Sequence, residues 1–477
     1  MSGWLAGIFL AWRLWAWLLP RLDVSAAGLY LQDLVGRLSH GGSLGTWDLP
    51  ASPGLFPDAG LVWFCQSQQV DPLAAQRLYG LLLGLLGWAC LAWLLRCLWP
   101  LTKPQSRVYA ATGLLLVLSL SGAGLDTWLF PAQHGAAWLS ALGLWAWTLR
   151  QKEKPDGWLG TLIWAALAAG LAASDPWFAL WALPPLLLLA LRCRPDQWPR
   201  LAVAVGLGLG LSYLLRTSLK QHSVSLAQPP WDSLATRPWP SLAQAWAWWS
   251  GRLAPLWPLL AASGAGLALW AWPQKDRHSG PRVLLLGWLI LALGGAILAL
   301  RLDLPGLGWA YPCMLPGLFL PLLVSERWPA WNQVALLVPL LASLLCITPG
   351  PGLSGAAAQR QEEAGWLRSV LAQDAHYGWA APGPARALRL VSQGGLVLAP
   401  VLTGKDGVQP QAWCGDRSLW SEGAVLQRPQ FVLADGLDES VIRRRLGAPD
   451  RVLEHGGSAL WIYQGPQSGS ANERTRL

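Results

Sequence analysis

The amino-acid sequence predicts an all-α polytopic membrane protein with about 11 transmembrane helices, followed by a small α+β domain outside the cytoplasm. Three observations support this fold class. Of the 477 residues, 53% are hydrophobic and only 13% are charged, whereas soluble domains carry about 25% charged residues. Apolar runs recur as far as residue 349. Beyond residue 350, Gly, Pro, Gln, Asp and Arg become more frequent and no further spanning run occurs.

The transmembrane helices are predicted from apolar runs that approach the length of about 20 residues needed to cross a bilayer. The predicted spans lie near 3–20, 73–99, 106–121, 136–150, 157–173, 176–192, 199–216, 253–272, 282–301, 307–325 and 330–349. Together they form a predicted membrane domain over residues 1–349.

Basic residues orient these helices. One set of alternate loops carries nearly all of the Lys and Arg of the short connections, whereas loops 122–135 and 174–175 carry almost none. The positive-inside rule therefore places the N-terminus in the cytoplasm, and places loops 21–72 and 217–252 and the C-terminal domain outside. The formal charge of +9 does not indicate nucleic acid, because its basic residues are spread over these loops and no basic helix or aromatic RNA-binding motif occurs.

The first outer loop, residues 21–72, contains five Asp and no Glu. We expect two short helices to lie in the membrane interface here, over 24–39 and 54–69. Counting the second as a span would invert every later loop and place the basic clusters outside. Within the first helix, the i, i+4 spacing of Asp33 and Arg37 predicts a solvated ion pair.

The C-terminal domain is predicted over residues 350–463, with a disordered tail over 464–477 that is rich in Ser, Gly, Gln and Arg. A helix is expected near 357–373 and a strand at Phe431-Val-Leu-Ala. A short helix over 438–446 should be closed by Gly447. Two further strands are expected around the turn His455-Gly456-Gly457.

The outer face gathers residues that suit the transfer of a sugar from a lipid phosphate. Such a reaction needs an acidic side chain whose carboxylate accepts the proton of a hydroxyl, and cations to hold the phosphate. Asp23, Arg216, Arg252 and Arg301 lie at predicted helix ends, where a side chain is held more firmly than in a long loop. No HxxxH, HxE or CxxC spacing indicates a metal centre, although a divalent metal at His134 is an open alternative.

Each of these residues also has a structural interpretation. Asp23 fits a membrane boundary or a helix cap as well as a catalytic base, and Asp58 fits a cap of the helix that follows. Asp175, in Ser174-Asp175-Pro176, is better explained as an N-cap with Pro at N1. His134 fits a capping or interfacial role, and the arginines at the helix ends fit interface anchors.

The order of these features resembles the GT-C superfamily of polyprenyl-phosphate-dependent glycosyltransferases. That superfamily includes protein O-mannosyltransferases and lipid A aminoarabinose transferases. Asp23-Val-Ser-Ala-Ala-Gly-Leu-Tyr30 resembles its acid-then-Tyr pattern at the start of the first outer loop. Further segments resemble recurring pieces of uncharacterised bacterial GT-C-like proteins: Trp47–Asp58, His134-Gly135, Ser174-Asp175 and Leu446-Gly-Ala-Pro-Asp450 with Trp461-Ile-Tyr463.

The resemblance implies an activity and a set of roles. Asp23, with Asp58 as a second candidate, would be the catalytic base that accepts the proton of the acceptor hydroxyl. The donor would be a polyprenyl-phosphate sugar, and the acceptor a glycan, lipid or protein. The expected phosphate-binding residues are Arg216, Lys220, Arg252 and Arg301. The expected further cavity residues are Tyr30, Trp47, Asp48, His134 and Asp175.

Two other functions remain open. Many GT-C members carry Asp-Glu where this chain has Asp23-Val24, which is compatible with a GT-C-shaped scaffold without catalysis. A secondary transporter would show internal repeats and ionisable residues near the middle of the membrane; no repeat is visible in the sequence. All three interpretations place the chain in a membrane, which we expect to be a bacterial plasma membrane, in contact with membrane lipids.

Overall fold

The computed structural model describes two parts of the chain in detail. The described residues are 2–18, 26–50, 52–98, 129, 134–150, 157–176, 178–179, 182, 198–221, 225–226, 241, 243–244, 247, 355–371, 377–392, 395–405, 407–411, 416–420 and 429–463. Asp23, Arg252, Arg301 and the tail over 464–477 lie outside these ranges. So do the predicted spans 106–121, 253–272, 282–301, 307–325 and 330–349, and most of 176–192.

The N-terminal part is helical, and its helices lie where apolar runs were predicted. They are α1 (Ser2–Leu18), α2 (Ala26–Ser39), α3 (Gly60–Ser67), α4 (Pro72–Leu98), α5 (Gly135–Arg150), α6 (Trp158–Ser174) and α7 (Trp198–Gln221). Helices α2 and α3 correspond to the two helices expected in the first loop. A two-residue strand, β1 (Asp48–Leu49), pairs in parallel with β2 (Ser225–Leu226) beyond α7.

Two helices among the described residues are long and apolar enough to cross a membrane, Pro72–Cys97 within α4 and Ala202–Gln221 within α7. Trp158–Ser174 is apolar but shorter.

Helix α1 packs closely on α4 because α4 presents Gly80-Leu-Leu-Leu-Gly84 to it. A Cβ atom at Gly84 would lie 2.5 Å from Leu14 Cδ1, so a larger residue there would displace the Leu14 side chain. At the end of α1, the Arg77 guanidinium donates to the Trp15 carbonyl at 2.9 and 2.7 Å. This contact satisfies a carbonyl of the last helical turn, just before residues 19–25.

The C-terminal part is a six-stranded sheet with helices on both faces. Its elements are α8 (Gly355–Val370), β3 (Tyr377–Ala380), α9 (Pro382–Val391), β4 (Val397–Gly404), β5 (Gly407–Pro410), β6 (Phe431–Leu433), α10 (Glu439–Leu446), β7 (Arg451–His455) and β8 (Ser458–Ile462). The strand order is β5-β4-β3-β6-β8-β7. Strand β3 is parallel to both β4 and β6, and the other pairs are antiparallel.

Alternation along the strands divides the core of this domain in two. Leu398, Phe431 and Leu460 pack toward α8 and α9, whereas Val401, Val432 and Trp461 pack toward α10. The predicted last strands and the short helix closed by Gly447 are present. The α+β prediction missed the parallel unit β3-α9-β4, which makes this a three-layer domain.

The C-terminal domain docks on α2 through a buried ion pair. Asp33 is 5% exposed, and its Oδ2 accepts a hydrogen bond from Arg389 and lies 3.7 Å from Arg386 Nε. The predicted solvated pair of Asp33 with Arg37 is therefore wrong. Arg37 instead lies 3.4 Å from Asp416 of the C-terminal domain. Asp33 pairs with Arg386 and Arg389, which are far away in the sequence, and not with Arg37, because these two arginines are buried together with it.

A second contact joins the end of the first loop to the same domain. Arg417 Nε lies 3.3 Å from Asp48 Oδ1, and Trp47, which is fully buried, forms an isolated antiparallel bridge with Asp416. The first loop thus contacts the C-terminal domain at two places, through α2 and through the residues near β1.

Candidate functional site

Asp58 lies in a tight turn that is bound to the end of α6. Residues Leu55–Ala59 form a kinked turn in which Phe56 is extended, with φ −130° and ψ 127°, and Gly54 before it has the left-handed conformation with φ 59°. The backbone N–H groups of Gly54 and Phe56 donate to the Ser174 carbonyl and hydroxyl at 3.2 and 2.8 Å. Ser174, the last residue of α6, therefore fixes the Asp58 turn to the helix bundle.

The Asp58 carboxylate is buried, at 4% exposure, and Tyr79 of α4 donates its hydroxyl to Asp58 Oδ1 at 2.6 Å. Tyr30 of α2 donates to the Pro53 carbonyl at the start of the same turn. A buried carboxylate requires such donors, because an unsatisfied charge in this environment is strongly unfavourable. The turn is thus held from three sides by α2, α4 and α6.

His134 and Asp175 form an ion pair beside this turn. His134 Nδ1 lies 2.7 Å from Asp175 Oδ2, and the side chains are 26% and 8% exposed. His134 has a φ of 64° and immediately precedes α5. Burial alone would lower the pKa of His134, but the charge and hydrogen bond of Asp175 and the charge of Asp58 outweigh it and raise the pKa above its usual value.

Arg216 of α7 reaches the same loop. Its Nη1 donates to the Ala173 carbonyl at 3.0 Å, one residue before Ser174. Lys220 follows one helical turn later and is exposed. Segment 173–175 is therefore the meeting point of α6, α7, the Asp58 turn and His134. Two carboxylates, an imidazole and a guanidinium come together there, and such a set can both move a proton and hold an anion.

The remaining candidates fall into two groups. Tyr30 supports the Asp58 turn, whereas Trp47 and Asp48 lie in the contact between the first loop and the C-terminal domain. Asp23, Arg252 and Arg301 lie outside the described residues. Asp175 was expected as an N-cap; its described carboxylate contact is with His134.

Tyr79 is a site residue that the sequence did not reveal. The candidates predicted from the sequence are charged residues near helix ends, whereas Tyr79 carries a neutral hydroxyl inside an apolar run. A lone Tyr in such a run is the available signal, because a buried phenol usually finds a hydrogen-bond partner.

No metal centre is found in the described part of the chain, where no three His, Cys, Asp or Glu side chains form a group that could hold a metal ion. His134 and Asp175 contribute two potential ligands only. The described geometry therefore assigns no metal to this cluster.

Comparison with known proteins identifies the fold class. The chain has a GT-C-like fold. It is similar to the crystal structure of ArnT from Cupriavidus metallidurans in the apo state, with a TM-score of 0.51 and 14% sequence identity over 98% of this chain and 99% of that chain. No family model and no curated protein match the sequence. At this identity the similarity shows the fold alone, and it supports the GT-C-like part of the fold prediction.

Proposed function

We propose that this chain is a membrane glycosyltransferase that moves a sugar from a polyprenyl-phosphate donor to an extracytoplasmic acceptor. ArnT, to which it is similar in fold, is a membrane glycosyltransferase that uses a lipid-linked donor. The single observation that carries the proposal is the cluster of Asp58, His134, Asp175 and Arg216 around one loop of a GT-C-like fold.

The proposed reaction has one bond-forming and one bond-breaking event. An acceptor oxygen attacks the anomeric carbon of the sugar, and the bond from that carbon to the phosphate oxygen breaks. Asp23 takes the acceptor proton, and polyprenyl phosphate leaves as an anion. Arg216 and Lys220, together with Arg252 and Arg301, hold that phosphate by charge-assisted hydrogen bonds.

The described acids have supporting roles in this proposal. Asp58 is held in the site by Tyr79, and it acts with Asp175 to favour the protonated form of His134. A positively charged His134, paired with Asp175, and Arg216, bonded to Ala173, both contact segment 173–175, and together they attract the departing phosphate. Asp58 is also the next candidate for the base if Asp23 does not serve.

The proposed topology places the N-terminus in the cytoplasm and the site outside, in a bacterial plasma membrane. The ion pairs between the first loop and the C-terminal domain support one part of it. Asp33 with Arg389, and Arg37 with Asp416, can form only if both regions lie on the same side of the membrane. The carboxylate-rich loop and the C-terminal domain therefore share one compartment in this proposal.

Binding of undecaprenyl phosphate tests the donor class without knowledge of the sugar. Protein in nanodiscs should bind undecaprenyl phosphate at least tenfold more tightly than undecaprenol, since one charge-assisted phosphate contact contributes about 1.5–3 kcal/mol. Lys220→Gln should weaken that binding, while Arg200→Gln, at the other end of α7, should not. Equal binding of both lipids by the wild type would contradict the proposal.

Two alternatives make different predictions for the same material. A GT-C-shaped scaffold without catalysis could bind the lipid phosphate but would never release it from a glycosylated donor. A secondary transporter would show no preference for the phosphate.

A further inference from the structure

Helix α2 connects the C-terminal domain to the turn that carries Asp58. Asp33 on α2 pairs with Arg386 and Arg389 of α9. Tyr30, one helical turn earlier, donates to the Pro53 carbonyl at the start of the Asp58 turn. Helix α2 thus contacts the C-terminal domain through Asp33 and the Asp58 turn through Tyr30, one helical turn apart.

Helix α2 is also tied to the elements that follow the Asp58 turn. The side-chain amide of Gln32 donates to the Pro72 carbonyl at 3.1 Å. The backbone carbonyl of Gln32 accepts a hydrogen bond from the side-chain amide of Gln66 on α3 at 2.9 Å. Helix α3 begins two residues after Asp58, and α4, which starts at Pro72, carries Tyr79. A displacement of α2 would therefore pull on both sides of Asp58.

The C-terminal domain touches α4 directly as well. Leu73, in the first turn of α4, is buried in a small apolar cluster with Ala357 of α8 and Val391 of α9. The domain thus packs on the two helices, α2 and α4, that hold the Asp58 turn through Tyr30 and Tyr79.

Stability alone is a weak reason for the Asp33 pair. A buried ion pair can often be replaced by apolar residues of similar volume with no loss of stability, whereas removing one partner is strongly unfavourable. Such a pair is better suited to specifying one arrangement of two surfaces. Here it specifies where α2 lies relative to the C-terminal domain.

We propose that Asp33 is a positioning residue: its buried pairing with Arg386 and Arg389 lets the C-terminal domain hold the Asp58 turn in place through α2. The inference rests on the proposed function for the role of Asp58. The chain of contacts from the C-terminal domain through α2 to the Asp58 turn does not depend on that function. The C-terminal domain would then contribute to the site by positioning the Asp58 turn.

Three variants at two positions test the link, with Cys65 as reporter. Cys65 lies on α3 and is 1% exposed, so its reaction with a maleimide reports opening of α3 from α2 and α4. In a background with the other six cysteines replaced, Asp33→Asn should raise the labelling rate roughly tenfold or more. Asp33→Glu, which keeps the charge, should restore most of the protection. Glu362→Gln, at an exposed carboxylate within the C-terminal domain, should leave the rate unchanged.

A second readout distinguishes positioning from general loosening. The Asp58 charge contributes to the raised pKa of His134, so Asp33→Asn should lower that pKa in a titration followed by histidine NMR. Unchanged Cys65 labelling and an unchanged His134 titration in folded Asp33→Asn protein would overturn the inference. If that variant does not fold, Arg386→Gln, which removes the more distant partner of Asp33, should give a smaller rise in labelling; protection equal to wild type would then overturn the inference. Failure of the wild type to bind undecaprenyl phosphate would sink the proposed function and leave these outcomes intact.

Discussion

Replacing Tyr79 by Phe removes the hydroxyl that donates to the buried Asp58 carboxylate and leaves the aromatic ring in place. The bond is 2.6 Å long, and both side chains are nearly inaccessible, Asp58 at 4% and Tyr79 at 1% exposure. A hydrogen bond to a charged group contributes about 1.5–3 kcal/mol, and solvent does not reach this site to replace it. Tyr79→Phe should therefore lower the free energy of unfolding by about that amount.

The assay is equilibrium unfolding of the purified protein in mixed micelles, followed by fluorescence. Tyr213→Phe is the matched control, because Tyr213 on α7 is 71% exposed and should change the free energy by less than about 0.5 kcal/mol. Asp58→Asn combined with Tyr79→Phe should be less unfavourable than the sum of the two single changes, since they disrupt the same contact. A Tyr79→Phe value within about 0.5 kcal/mol of wild type would refute the described role of Tyr79.

Three further predictions follow from the described geometry and from the charge pattern. The pKa of His134 should lie above its usual value and should fall in Asp175→Asn, as measured by histidine NMR. Because the folded-state pKa is raised, the stabilisation from this pair is fully present below about pH 6.5 and is lost as the pH rises through the folded-state pKa. An unchanged titration in Asp175→Asn would contradict the pair. Gly54→Ala should destabilise the protein by about 1–2 kcal/mol, because Gly54 has a φ of 59°, whereas Gly60→Ala in a right-handed helical position should not, as measured by the same unfolding assay. Accessibility tags test the topology, and a cytoplasmic C-terminus would contradict it. Tags at 153 and 276 should be cytoplasmic, and tags near 230 and 470 external.

The helices of the N-terminal part could be predicted because an apolar run of sufficient length is a strong local signal. The described helices α4, α5 and α6 begin and end within a residue or two of the predicted spans. In the C-terminal part, β3, α9, β4 and β5 were missed. Tyr377-Gly-Trp-Ala shows no alternation because β3 is a central parallel strand with little exposed surface, and α9 begins with Pro382-Gly-Pro, which resembles a loop.

The site could be predicted residue by residue but not as an arrangement. Asp58, His134 and Asp175 each stood out beside a Pro or Gly at a helix end, and the sequence contains nothing that measures the distance between them. The Asp33 pair shows the limit most clearly. Its partner Arg389 is 356 residues away, so the local spacing rule favoured Arg37, and tertiary burial decided otherwise.

The central claim is tested most directly by turnover of a polyprenyl-linked sugar. Wild-type protein in nanodiscs should release undecaprenyl phosphate from undecaprenyl-phosphate-linked hexoses or pentoses in the presence of envelope extract, and Asp23→Asn should reduce the rate by about 10²–10⁴-fold, the range for a positioned general base. Asp71→Asn is the matched control. Asp71 lies in the same loop and accepts from the backbone N–H groups of Leu73 and Ala74 at 2.9 and 3.1 Å, and Asn caps a helix as well as Asp does. Wild-type turnover in Asp23→Asn would remove Asp23 from the mechanism, and no turnover by the wild type with any such donor would contradict the glycosyltransferase account.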